Sequence, residues 1–526
     1  MVKSNTKLKI AFIINNSTIP LWYWETIRSI LDNNCYEVLL IESQFIKAEH
    51  QKTFLYKLFQ KFENWWFRPK HEALAMVDMK SIDDSFQIIK LGISDFQLSQ
   101  EQLDLLLPLK LDVIYTIDFE HAAKENISAV ARYGLWYIKF GYGKFDHPYA
   151  FWEVMSNSEV TGSYLLSRIN GEDKILYEGT TPTVPYSVKN NLNSIAWKSS
   201  SYLKYRLLEL TCSQDEIFRS KSNYFPSTRK PLPGHIKLLW LIISNFTRYI
   251  KYKLNRSTGK FQLLYSCENI DLNAFTGFNF KSIPPSPGTF WADPFVIGDN
   301  GKCFIFFEEY VYSKDKAHIS LMAMDENENF TQPEVVLEMP YHLSYPFVFK
   351  HENEYFMLPE TSSKGTVELY KAIEFPYKWK HIMNLIENRP LIDCTLLHYN
   401  GLWWLFCSST DHPATSANDQ LHLYYTNNLF SKDWKLHPQS PIATHAGNCR
   451  PAGRIFESNG KLYRPAQNNA SKQYGYGLKI NEIIVINERE YFEKEVYSIN
   501  PESLGLKAVH QIDFIQNLVF IDGIVP

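Results

Sequence analysis

Three pairs of residues in the C-terminal half stand fifteen positions apart: Asp293 and Glu308, Tyr345 and Glu360, Asp393 and Ser408. A fourth pair, Arg450 and Gln467, is two residues longer, and a looser fifth copy joins His510–Phe514 to Leu518–Asp522. Carboxylates gathered in one cleft have their pKa values driven apart, so that one stays ionised as a base while another keeps a proton as an acid. Two such groups serve glycosyl chemistry, whose transition state resembles an oxocarbenium ion. Arg450 adds a planar cation suited to phosphate or carboxylate, and His510 a group that shuttles a proton or binds a hydroxyl. Glu308, Tyr345 and Gln467 complete a polar set for substrate contact, and Trp291, Trp403 and Trp404 offer ring faces to a sugar. The bland alternative is a salt-bridged, water-filled channel that only holds its surroundings together.

Such convergence requires repeated elements around one axis. Trp291–Ile297 is followed by Asn300-Gly301 and Phe304–Glu309; Ile392–Leu397 is followed by Asn400-Gly401 and Trp403–Ser408. Asn-Gly between alternating runs suits a type I′ hairpin, because both residues tolerate positive φ. Further strands recur at Val367–Tyr370 and Leu421–Tyr425, each followed by a tryptophan, Trp379 and Trp434. A unit of roughly 48–60 residues fits a four-stranded blade. The reading is a five-bladed β-propeller over 258–526, with a strand near Phe261–Tyr265 completing the last blade.

Residues 1–225 alternate apolar strands (Ile10–Ile14, Glu37–Ile41, Lys110–Ile117) with helical stretches (Trp22–Asp32, His121–Arg132), which predicts an α/β domain with a mostly parallel sheet. Residues 45–70 read as an exposed helical excursion. Residues 226–257 form a Pro-rich linker and an amphipathic helix, apolar with basic flanks over 236–254. That helix fits either peripheral contact with an anionic inner-membrane surface or packing between domains. The chain of 526 residues carries 54 basic and 57 acidic side chains, which gives it no global reason to seek nucleic acid. Its seven cysteines form no CxxC pair, so reduced thiols in a cytoplasmic protein are expected. The N-terminal apolar run is too short for a signal peptide. No P-loop or Rossmann glycine pattern is present, Asp83-Asp84 lacks a metal-binding context, and no metal or cofactor is required.

Trp291-Ala292-Asp293-Pro294-Phe295 resembles the opening of five-bladed glycosidase propellers of the family 43 and 32 type. That resemblance implies Asp293 as general base, with Glu360 and Asp393 as its available catalytic partners, although Tyr345 stands where an Asp is expected. A broader resemblance covers most of 260–526. Leu343–Phe347 with Leu358-Pro359-Glu360, Leu369–Ala372 with Phe375-Pro376, and Arg450–Gly453 with Tyr463–Gln467 look like the propeller domain of glucosamine inositolphosphorylceramide transferases. Plant members carry that domain ahead of a separate transferase domain, so the likeness implies glycoconjugate assembly without assigning catalysis to the propeller. The N-terminal half is similar to formyltransferases of the methionyl-tRNA type over Tyr133–Gly141, Pro148–Glu153 and Thr161-Gly162. The Asn and His of that family are replaced by Tyr137 and Lys139, and the downstream Asp position falls near Gly171, beside Glu172 and Asp173. The resemblance therefore implies a related domain that no longer transfers formyl groups. The expected function is a glycosyltransferase-type enzyme of surface polysaccharide or glycolipid biosynthesis, taking a sugar or activated sugar donor and a glycan or glycolipid acceptor. The alternatives are a propeller glycoside hydrolase and a non-catalytic glycan-binding scaffold.

Overall fold

The computed structural model describes residues 7–43, 53–79, 88–91, 97–117, 126–141, 149–213, 233–254, 260–267, 279–470, 475–515 and 517–526. Most of the linker at 226–234, the stretch 118–125 and Asp83-Asp84 lie outside them. The chain divides into two compact units, Met1–Asn255 with Asp411–Thr415, and Arg256–Thr410 with Ser416–Pro526.

The first unit is built on a seven-stranded sheet. In spatial order its strands are Ile88–Lys90, Tyr36–Glu42, Leu8–Ile14, Val113–Thr116, Leu135–Phe140, Val160–Ile169 and Glu172–Pro182. The first five are mutually parallel and the last two antiparallel. A central strand with both faces covered is apolar, and Ile10–Ile14 is: Ile10, Phe12 and Ile14 join one core with Trp136 and Trp197, while Ala11 and Ile13 join the other with Ile114 and Leu135. The sheet is mixed because Val160–Ile169 runs antiparallel to Leu135–Phe140, and a tight hairpin at Asn170 and Gly171, with φ of 53° and 79°, adds the edge strand. The helix expected over Trp22–Asp32 is found at Leu21–Leu31, and the excursion contains a helix over Phe54–Trp66. In place of a helix near 121–132, the described residues form a short 3-10 turn at Ile127–Val130.

The second unit contains five four-stranded antiparallel sheets. Four are consecutive in sequence, opening with Thr289–Asp299, Ser344–His351, Ile392–Tyr399 and Phe456–Ser458. The fifth takes Ala508–Ile515 and Leu518–Ile524 from the C-terminal end and Phe261–Ser266 and Lys281–Ile283 from the start of the unit, with Phe261 opposite Ile524. This is a five-bladed propeller, closed by pairing its two ends; closure leaves no blade with an open side in the ring. The Asn-Gly turns at 300–301, 400–401 and 459–460 take positive φ at both residues, and Glu352-Asn353 does so without a glycine.

Each of four innermost strands breaks register at the same place. The shifts fall at Ala292/Phe295, Ser344/Phe347, Ile392/Thr395 and Val509/Ile512. Asp293, Tyr345 and Asp393 occupy this bulge with φ of 51°, 45° and 51°. Non-glycine residues held there cost on the order of 1–3 kcal/mol each, so other contacts must secure them. In the fourth blade Gly453 passes so close to the fifth that a Cβ would lie 1.8 Å from the Ile512 carbonyl oxygen; only glycine fits.

Candidate functional site

The bulges determine what reaches the axis. In a regular strand Trp291 and Asp293 would face the same way. The bulge between them and Phe295 re-aims the backbone, so that Asp293 joins the axial cluster while Trp291 is driven into the sheet packing. Trp291 is buried against Phe307, with ring centroids 5.0 Å apart, and donates from Nε1 to Glu309 Oε1 at 3.2 Å. Its expected sugar-stacking face is therefore covered. Trp403 and Trp404 point to opposite sides of one strand, and each is buried in a different core, so neither presents a ring.

Carboxylates from neighbouring blades secure the strained bulges. Asp522 Oδ2 accepts the Asp293 amide at 2.8 Å, and Asp522 Oδ1 accepts those of His510 and Gln511 at 3.2 and 2.9 Å. Asp293 Oδ2 accepts the Tyr345 amide at 3.1 Å, and Glu360 Oε2 the Asp393 amide at 3.4 Å. The acidic residues thus carry a structural role that their spacing did not reveal.

Two cationic groups divide the cluster. On one side His510 lies 2.7 Å from Asp522 through Nδ1 and 3.4 Å from Asp293 through Nε2. On the other, Arg450 forks Asp393 through Nε and a terminal nitrogen, reaches Glu360 at 4.0 Å, and donates to Asn418 Oδ1 at 3.0 Å. Glu308 is hydrogen-bonded to Asp293 and lies 3.4 Å from His342. Seven of the eight candidates at repeated positions are therefore linked in this cluster: Asp293, Glu308, Glu360, Asp393, Arg450, Gln467 and His510. Tyr345 meets it through its backbone. Its phenol is fully buried and bonded to Thr395 and Gly453, so it offers no hydroxyl to a substrate. Gln467 is likewise fully buried, donating to Asp393 and the Pro451 carbonyl. Both belong to the scaffold of the site rather than to a ligand-facing set.

The electrostatics follow from burial. Desolvation lifts Asp293 to about 7, with His510 opposing the rise and Asp393 and Asp522 adding to it. Desolvation also lifts Asp393 to about 7, against the pull of Arg450 and with a push from Glu360. Glu308 is raised well above the carboxylate range, first by burial and then by Asp293 and Glu360. Burial disfavours the charged form of His510, but Asp522 and Asp293 outweigh it and its pKa rises. The result is a proton-sharing cluster near neutrality.

The His510 side is sealed, with Asp293 and His510 side chains 7% and 5% exposed. Arg450 and Glu360 keep 15% and 12% exposure around an Asp393 at 1%, and His342, beside Glu308, keeps 39%. Ser408, fully buried at the position matching Glu308 and Glu360, has a hydroxyl without a protein partner. Asp293, His510 and Asp522 each offer a ligand atom within 4.8 Å of the others, the grouping among the described residues that could hold a metal ion.

Sequence reasoning missed Asp522, which sits opposite the fifth bulge, one register place from the position of Glu308. Val509 pairs with Gly523 as Ala292 pairs with Glu308. It also missed a second pair, the half-buried Arg454 and the fully buried Asp513, 3.3 Å apart, in which Asp513 accepts the Val296 amide. The carboxylates of blade five, Asp513 and Asp522, were present in the loose fifth repeat as the available signal.

Residues 277–510 match the family model described as glucosamine inositolphosphorylceramide transferase 1, N-terminal. The chain is 36% identical over 224 residues to the glucosamine inositolphosphorylceramide transferase 1 of Oryza sativa subsp. japonica, covering 42% of this chain and 29% of that protein. It is 32% identical over 213 residues to the Arabidopsis thaliana protein of that name, covering 40% and 28%. The chain thus spans less than a third of the length of these curated relatives. Among solved structures, it is similar to a family 117 glycoside hydrolase of Zobellia galactanivorans at a TM-score of 0.33 and 13% identity, over 46% of this chain and 76% of that one. The catalytic domain of a Coprinopsis cinerea GH62 α-L-arabinofuranosidase gives a TM-score of 0.33 and 11% identity, over 50% and 98%. The propeller is therefore similar, in sequence over residues 277–510, to the N-terminal part of the glucosamine inositolphosphorylceramide transferases.

Proposed function

We propose that the propeller axis is the sugar-handling site of a glycosyl-transferring protein of glycolipid or surface polysaccharide assembly. The observation that carries this reading is the edge of the cluster where Glu360 and Arg450 keep 12% and 15% exposure beside the buried Asp393. Asp393, held near 7, populates both protonation states at neutral pH, which proton transfer to and from hydroxyls requires. Arg450 matches the phosphate of an activated sugar donor or of a phosphoinositol-type acceptor. The sequence similarity to proteins named as transferases of glucosamine onto inositolphosphorylceramide supports a transfer reaction and a glycolipid acceptor.

Simple hydrolysis is the weaker reading. Asp293, the general base that the glycosidase resemblance implies, has its oxygens engaged by the Tyr345 amide and His510. The N-terminal unit is read as a formyltransferase-related scaffold without formyl transfer: Tyr137 and Lys139 stand on one strand where that chemistry needs Asn and His, and Asp173 is paired with Arg168 at 2.9 Å.

The test is native mass spectrometry of the full chain to identify the co-purifying solute, followed by a transfer assay with the donor so identified. Arg450→Ala and Glu360→Gln should each lower transfer by about 100-fold or more, the usual loss on removing an acid–base or charge-binding group. Wild-type transfer by both variants sinks the reading.

A further inference from the structure

We propose that the helices Phe54–Trp66 and His235–Leu254 of the N-terminal unit form one docking surface for an anionic lipid bilayer, lying flat in its headgroup region. Each helix has two apolar stripes and uses only one. The longer helix buries Leu238, Leu241 and Asn245 against the unit. At the same 3–4 residue spacing it exposes Ile236, Trp240, Ile243, Phe246 and Ile250, with Ile236 at 89% and Trp240 at 65%. The shorter helix buries Tyr56, Phe59 and Glu63 and exposes Phe54, Leu58, Phe62 and Trp65, the last at 62%. A helix normally hides its one apolar stripe, and contiguous exposed patches mark interaction sites.

The two exposed stripes adjoin. Trp66 meets Tyr249 edge to face, with centroids 6.5 Å apart, and donates to its hydroxyl at 3.4 Å; Phe67 meets the same ring at 5.7 Å. Asn245 donates to the Tyr186 carbonyl, and Arg248 turns inward to the Val154 and Met155 carbonyls, fixing the long helix to the unit.

Charge selects the occupant. Lys57, Lys61, Lys237, Lys251 and Lys253 are exposed on the two helices. Their single acidic residue, Glu63, is buried and accepts from Ser187 and the Lys189 amide. Exposed Trp and Phe flanked by lysines, with no exposed acid, complements an anionic interface. A second copy of the chain on this face would set lysine against lysine. No helix among the described residues is long and apolar enough to cross a membrane, in keeping with a surface that lies on a bilayer. The proposal is independent of the chemistry at the propeller axis.

The experiment is co-sedimentation of the full-length protein with phosphatidylcholine vesicles, with and without phosphatidylserine, at low and high salt. Binding should be about tenfold or more tighter with the anionic lipid and should fall in high salt. Trp240→Glu with Ile243→Glu should abolish it, and Lys251→Glu with Lys253→Glu should weaken it by about tenfold or more, each lysine near the surface contributing on the order of 1 kcal/mol. All four sites are exposed, so the fold should survive, which circular dichroism checks; Trp65→Glu provides a second route on the other helix. Equal affinity for both vesicle types, or no binding, overturns the proposal. So does a wild-type dimer in light scattering that Trp240→Glu dissolves, which would assign the face to a second copy.

Discussion

The two sides of the propeller axis use the same materials to different ends. Around His510, Asp293 and Asp522 are almost wholly removed from solvent, and their oxygens secure the amides of Asp293, Tyr345, His510 and Gln511. Around Arg450, Glu360 secures one amide, that of Asp393, at 3.4 Å, and both Glu360 and Arg450 keep part of their surface. Carboxylates in a ring are thus not one functional set. Those whose lone pairs are committed to backbone amides hold the strained bulges in place. Glu360, which keeps an exposed edge beside a permanent cation, remains available to a solute.

The sharpest way to break this comparison is to remove a carboxylate from each side. Asp522→Ala should cost about 3–5 kcal/mol, because it leaves three amides and a buried His510 without their partner. Glu360→Gln should cost about 1 kcal/mol or less, since it loses one long hydrogen bond at a partly open site. Urea denaturation measures both, and equal losses would erase the distinction between a structural and a functional side.

A smaller effect tests the electrostatics. Asp393 is raised in the fold from 3.8 to about 7, so between these values the folded chain binds the proton more tightly than the unfolded one. Its contribution is fully present below about 4 and is lost as pH rises through about 7; the raised His510 has the same sign at higher pH. Asp393→Asn removes the titration. Its stability relative to wild type should therefore climb by up to roughly 1.4 kcal/mol per pH unit across that window. A flat difference, or one of opposite slope, would show that Arg450 rather than burial governs this carboxyl.

A packing effect concerns Trp291. Trp291→Phe should lower stability by about 1–2 kcal/mol through lost packing and the indole hydrogen bond, and it should leave binding of the axial solute unchanged in calorimetry. A selective loss of binding with stability intact would return this ring to the site.

Much of the propeller was legible before any coordinates. The step of fifteen, the Asn-Gly turns and the strand at Phe261 that completes the last blade are local features of spacing and of backbone tolerance for positive φ. The convergence of Asp293, Glu308, Glu360, Asp393, Arg450 and His510 followed, because equivalent positions of a closed ring face one axis. What was not legible depends on departures from regularity. The alternation that placed Trp291 beside Asp293 fails at a bulge, and Asp522 lies one place out of register. The antiparallel pairing of Leu135–Phe140 with Val160–Ile169, extended by the Asn170-Gly171 hairpin, makes the first sheet mixed, where the strand and helix rhythm suggested mostly parallel order.

The sequence by itself determined the repeated blade and most of the residues that line its axis, since repeat spacing and turn chemistry act over a few residues at a time. Only the tertiary structure decided which of them are spent on the backbone, which titrate near neutrality and which remain open. Those properties arise from desolvation and from partners far apart in the chain, as when the Asp293 amide meets Asp522 across 229 residues, and no local pattern encodes them.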